Sequence, residues 1–164
     1  MKNLTIGVIG TSNPTKKIEG LAKEVGCLLA ASGAVVICGG LGGVMEAVCR
    51  GAKSKGGTTI GVLPGSNPDK SNKWIDYVIC TGMGEARNLV IIKSSDAVIA
   101  VGGGYGTLSE IGFALKLNKP IIGLQTWGLE NPNMDKLALK VMDDPKDAVS
   151  MSIKMAKSHF EGIN

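Results

Sequence analysis

A single histidine, His159, occurs in the whole chain. That scarcity excludes Ser-His-Asp and Cys-His catalysis and any histidine-rich metal site, since each needs an imidazole beside a partner. The four cysteines, Cys27, Cys38, Cys49 and Cys80, lie far apart without metal-ligand spacing. Each sits in or near an apolar pattern and reads as a buried, reduced thiol. Neither a metal nor a cofactor is expected. Aromatic residues make up only 4% of the chain, and the lysines are not interleaved with them, so no nucleic-acid surface is expected. No apolar run is long enough to span a bilayer and no signal peptide is evident, which predicts a soluble, cytoplasmic protein without a membrane partner. Two phosphate motifs are also missing. No Gly-Lys-Ser/Thr follows a glycine loop, and no Gly-x-Gly-x-x-Gly is followed by a ribose-binding acid at the usual distance. A triphosphate and a dinucleotide are therefore not favoured.

What the chain has in plenty is glycine, 24 residues of it among 164. The composition is 44% hydrophobic and 20% charged, with a net charge of +4 that suits an anionic small ligand. The length predicts one domain, residues 1–164, with a sizeable core. Strand-like runs at Leu4–Ile9, Ala34–Cys38, Thr58–Leu63, Tyr77–Cys80, Ala97–Val101, Ile121–Leu124 and Leu139–Met142 alternate with helical patterns. Asn13-Pro14 and Asp144-Pro145 each look like an N-cap followed by a proline at the first helical position. Pro64 to Lys73 is a polar loop and a candidate rim, and Trp127 to Asp135 reads as a loop. The alternation predicts an α/β fold, Rossmann-like, with three α/β/α layers and a mostly parallel sheet of about six or seven strands. In such folds ligands bind at the carboxyl ends of strands, near the point where strand order reverses.

Three turns fall at such ends. The most informative is Gly102-Gly103-Gly104-Tyr105-Gly106-Thr107, between a buried strand and a helix. Its backbone N–H groups, with the Thr107 hydroxyl, can cradle an oxyanion, and the phosphate-binding candidates are Gly103, Gly104, Tyr105, Gly106 and Thr107. Glu110 has two readings. Thr107-Leu108-Ser109-Glu110 matches a capping box. The same geometry lets a carboxylate reach a sugar hydroxyl or a water beside an anomeric carbon. Arg87 lies at the start of a helix, where a cation opposes the dipole, so pairing with an anion or a carboxylate explains it better than helix stability does. Glu85 reads as an ordinary first-turn acid. The other two turns are Gly10-Thr11-Ser12 and Gly39-Gly40-Leu41-Gly42-Gly43 with Met45. Their ligand-lining candidates are Gly10, Thr11, Ser12, Gly39, Gly40, Gly42, Gly43 and Met45. Close packing of turns at the sheet edge and a backbone wall for a base or sugar fit the second equally well.

Glu85-Ala86-Arg87-Asn88, Ser95-Asp96-Ala97-Val98-Ile99-Ala100 and Gly103-Gly104-Tyr105-Gly106-Thr107-Leu108-Ser109-Glu110 resemble the Lonely Guy (LOG) family, whose members were often mislabelled lysine decarboxylases. The similarity runs from about Leu4 to Leu124. It implies a Rossmann-like fold and a homodimer or larger oligomer such as a homotetramer. It also implies a phosphoribohydrolase that releases a base from a nucleoside 5′-monophosphate. Within that resemblance the glycine loop holds the phosphate, and Arg87 and Glu110 are the catalytic pair. Three departures are visible. Gly102 stands where the enzymes usually carry proline, the Gly39–Gly43 turn is one residue shorter, and Gly84-Glu85-Ala86-Arg87-Asn88 lacks the histidine and lysine of the enzyme motif. These features resemble a sister branch that includes molybdenum cofactor carrier proteins, which bind a phosphorylated pterin without cleaving it. Lysine decarboxylation is set aside, because no lysine has a recognisable pyridoxal phosphate context.

Overall fold

The computed structural model describes residues 3–130 and 139–161. Seven strands form one sheet: β1 (Thr5–Gly10), β2 (Val35–Cys38), β3 (Thr59–Leu63), β4 (Tyr77–Cys80), β5 (Ala97–Val101), β6 (Ile121–Leu124) and β7 (Lys140–Met142). Their order is β4-β3-β2-β1-β5-β6-β7, and every pair is parallel. The central strands are apolar along their whole length because helices cover both faces. Ile6, Val8, Val36, Ile99 and Val101 have no exposed surface.

Five helices complete three layers: α1 (Lys16–Ala31), α2 (Val44–Lys53), α3 (Arg87–Ser94), α4 (Tyr105–Lys116) and α5 (Pro145–Glu161). One apolar cluster gathers side chains of α1, α2 and α5 against the sheet, and a second gathers those of α3 and α4. The α1–α2 contact is unusually close. A Cβ on Gly26 would overlap the Val48 carbonyl oxygen, and one on Gly51 would overlap that of Lys23. Two helix backbones approach this closely only where side chains are missing.

The strand order reverses between β1 and β5. The register pairs Gly10 with Val101, so the turns leaving these two strands emerge side by side. Cys38 ends β2 one strand further out. The fold thus delivers all three glycine turns to one edge of the sheet.

Several local expectations are corrected. The cap of α1 is Thr15, whose hydroxyl accepts the Ile18 N–H at 3.3 Å, so Asn13 and Pro14 lie before the helix. Asp144 does cap α5, accepting from the Lys146 N–H at 2.7 Å. Cys80 is exposed because it ends β4, the edge strand of the sheet, and Cys27 on α1 is half-buried; only Cys38 and Cys49 are buried. The expected loop at Trp127 to Asp135 lies partly outside the described residues.

Candidate functional site

A cavity of about 480 Å³ opens at the strand-order reversal. Its walls come from the carboxyl ends of β1, β2 and β5 and the starts of α2, α3 and α4. Of the residues singled out in the sequence, Gly10, Thr11, Ser12, Gly39, Met45, Arg87, Gly104, Gly106, Thr107 and Glu110 line it. Gly40, Gly42, Gly43, Gly103 and Tyr105 do not. Gly43 instead borders a neighbouring cavity with Ser12, Glu19, Glu46 and Arg50. Tyr105 is 84% exposed and tilts against Trp127, with ring centroids 5.9 Å apart. Val8, Ile9, Leu41, Pro64, Gly84 and Asn88 line the cavity without having been singled out, and Glu85, expected to be structural, lines it too. The apolar members carry no chemical signature in a sequence. Asn88 could have been found from its place one residue after Arg87.

Arg87 is the first residue of α3 and only 8% exposed. Its Nη1 donates to the Gly39 carbonyl at 2.6 Å and to the Val62 carbonyl, and its Nε donates to Asn88 Oδ1 at 2.8 Å. The guanidinium therefore clasps the ends of β2 and β3. This explains Gly39, since a Cβ there would meet Arg87 Nη2 at 2.9 Å and Met45 Sδ at 2.5 Å. Burial pulls the guanidinium below its usual range, and the nearby Glu110 carboxylate opposes that shift.

Glu110 is also 8% exposed and borders the cavity. Burial pushes its carboxyl up to about 7, with Arg87 pulling the other way. Desolvation disfavours the charged form more than one guanidinium restores it. The capping box, one of the two readings of Glu110, does not form. The cap of α4 is Gly104, three residues earlier than the pattern suggested, so Thr107 is the third helical residue and caps nothing. The Glu110 side chain is thereby released from a capping role, and no hydrogen bond holds its carboxyl among the described residues.

The glycine loop itself departs from a simple turn. Gly102 has φ +58°, and its N–H donates to the Leu124 carbonyl at 3.0 Å. A proline there could do neither, because its ring fixes φ near −65° and it has no N–H. Gly104 and Gly106 are different again. A Cβ at either would meet nothing within 4 Å, and both border the cavity. Internal packing does not require them to be glycine. What their bareness leaves is free access to the first N–H groups of α4, where an anion is favoured by both hydrogen bonding and the helix dipole.

Among the described residues no three His, Cys, Asp or Glu side chains gather into a metal-ligand set, and no helix is long and apolar enough to cross a membrane.

Residues 3–157 match the profile of the SLOG cluster4 family. The chain is 46% identical to an uncharacterized protein of Archaeoglobus fulgidus over 93% of its own length and 97% of the other. It is 33% identical to a cytokinin riboside 5′-monophosphate phosphoribohydrolase of Mycobacterium tuberculosis, over 76% of this chain and 72% of that one. Among solved structures, the molybdenum cofactor binding protein of the phototrophic bacterium Rippkaea orientalis superposes with a TM-score of 0.84 at 36% identity. It covers 98% of this chain and 99% of that one.

Proposed function

The chain belongs to the SLOG cluster4 family, a LOG-like family, and on that premise we propose that its cavity binds a phosphorylated small molecule and cleaves it. The substrate class is a nucleoside 5′-monophosphate. The reaction is hydrolysis of the N-glycosidic bond to free base and ribose 5-phosphate. The observation that carries this reading is Glu110: a buried carboxyl, bordering the cavity with Arg87, and pushed up to about 7.

The N–H groups at the start of α4, around Gly104, Gly106 and Thr107, receive the phosphate. Arg87, held by two carbonyls, keeps a fixed positive charge at the site and steadies the ligand's negative charge. The C1′–N bond breaks as positive character grows on the ribose, and the Glu110 carboxylate stabilises it. A water then adds to C1′ and gives up a proton, while the leaving base gains one. A carboxyl near 7 is half-charged at neutral pH, so the same group can take the proton from water. Such a group contributes about 10²–10⁴-fold to a rate.

One observation favours a second reading. The molybdenum cofactor binding protein covers this chain almost end to end, whereas the phosphoribohydrolase covers about three quarters of it. In this reading the same site holds a phosphorylated pterin, or senses a nucleotide, without cleavage. A panel of nucleoside 5′-monophosphates, followed by chromatography for free base, separates the two. Release of base supports the hydrolase. Tight pterin binding with no base release from any monophosphate supports the carrier.

We also infer self-association as a homodimer or homotetramer. Uncovered apolar side chains around β4 support this, with Tyr77 64%, Ile79 46% and Met83 50% exposed. Sedimentation velocity measures it directly, and a monomer at micromolar concentration refutes it.

A further inference from the structure

The segment after β6, Gln125-Thr126-Trp127, borders none of the cavity, yet it is tied to the glycine loop from outside. Thr126 Oγ1 donates to the Gly102 carbonyl. Trp127 Nε1 donates to the Gly104 carbonyl at 3.3 Å. With the Gly102 N–H already on the Leu124 carbonyl, three polar groups of this short loop are anchored by one stretch of chain.

The anchor is itself held. Gln125 adopts φ +50°, a left-handed conformation that costs a non-glycine residue energy. Its N–H donates to the Met142 carbonyl at 3.2 Å, its Nε2 donates to Asp143 at 2.5 Å, and its Oε1 accepts from Lys17 at 3.4 Å. The Thr126 methyl rests where Gly123 has no side chain, since a Cβ there would lie 2.7 Å from it. These contacts fix the direction of the Thr126 donor, and the Trp127 ring rests against Tyr105 with centroids 5.9 Å apart.

In a trans peptide the carbonyl and the following N–H point to opposite sides. Drawing the Gly102 carbonyl toward the segment after β6 turns the Gly103 N–H away from it, while the Gly104 carbonyl, which Trp127 also reaches, accepts the Leu108 N–H at 3.0 Å and so ties that segment to the first turn of α4. We propose that Thr126 and Trp127 are positioning residues for the phosphate cradle: by holding the Gly102 and Gly104 carbonyls they fix where the turn and the first N–H groups of α4 stand around the bound phosphate. This rests on the reading that the loop holds a phosphate. It gives the stretch past Leu124 a part in the site that no side chain of it touches.

The test uses the full chain with Thr126→Val, Trp127→Phe and the conservative control Thr126→Ser. The first readout needs no ligand. Amide hydrogen exchange at Gly102 and Leu108, whose N–H groups donate to the Leu124 and Gly104 carbonyls, is expected to quicken about tenfold in the valine and phenylalanine variants, to stay at the wild-type rate in the serine variant, and to be unchanged in β2 and β3. The second readout is titration with adenosine 5′-monophosphate and with adenosine. Affinity for the monophosphate is expected to fall roughly three- to tenfold in the valine and phenylalanine variants, while the affinity for adenosine holds. Wild-type exchange rates at Gly102 and Leu108 in both variants overturn the brace. Equal losses for adenosine and its monophosphate also overturn it, because the effect is then not at the phosphate. A wild-type protein that binds neither the monophosphate nor inorganic phosphate overturns the phosphate reading, and the positioning of N–H groups around phosphate falls with it. Should Trp127→Phe not fold, Thr126→Val alone decides.

Discussion

Glu110→Gln is the sharpest test at the scale of single residues. It keeps the shape of the side chain and removes its charge. Base release from a nucleoside monophosphate is expected to fall by at least about 100-fold, measured by steady-state kinetics, with the circular dichroism spectrum unchanged. Turnover within threefold of wild type would remove Glu110 from the chemistry. Gly106→Ala tests the bare wall of the cavity. Its Cβ meets no protein atom, and alanine is the better helix former by about 1 kcal/mol. Thermal stability is therefore expected to hold or rise, while affinity for a monophosphate, read by calorimetry, falls. Arg87 and Glu110 stood out in the sequence because a cation at a helix start and an acid after a glycine loop both invite explanation, and both line the cavity. The capping reading of Glu110 stood open because Thr107-Leu108-Ser109-Glu110 fits the pattern; the helix begins at Tyr105, and nothing in the residue types marks that earlier start. Val8 and Ile9 were not singled out because an apolar wall built on a strand looks like core.

Elements were legible wherever hydrophobic runs and breakers agreed. All seven strands stand close to their expected positions, since each is a short apolar run bounded by glycine, proline or polar residues. Boundaries were less so. A 3-10 turn at Gly84–Ala86 precedes α3, whose buried residues are Arg87, Ile91 and Ile92. The closeness of α1 and α2 was not visible, because a glycine inside a helical pattern can equally be a tolerated weakness. That closeness makes a prediction. Gly51→Ala supplies a methyl group where the Lys23 carbonyl oxygen stands, so the helices must move apart. Urea unfolding is expected to show a loss of about 1–3 kcal/mol, against the gain that alanine gives in an open helix. An unchanged or raised midpoint would mean that the two helices are not locked at this contact.

For the whole molecule, the reversal of strand order between β1 and β5 is what turns three sequence-distant turns into one site; the alternation of strands and helices was enough to anticipate the parallel sheet but not its strand order. Which residues then face the cavity depends on the rotation of each turn, which composition does not encode. Stability should also carry the signature of Glu110. The folded protein keeps that proton up to about pH 7, whereas an ordinary glutamate in the unfolded chain releases it near 4.5. Between those values the folded state binds more protons, so stability falls as pH rises, by roughly 3 kcal/mol in all, and levels off above 7. In Glu110→Gln this slope should vanish, so the variant gains on the wild type toward pH 8 and matches it near pH 4.5, as thermal melts across that range will show. The Arg87 clasp has a consequence in time. Its two carbonyl partners, on Gly39 and Val62, come from neighbouring strands and meet only once β2 and β3 are paired. Its charge can lose its water only after that pairing, late on the way to the native state. Arg87→Met should therefore leave the refolding rate nearly untouched and show its effect in the unfolding limb of a chevron plot, marking the clasp as a latch that sets how long the folded protein lasts.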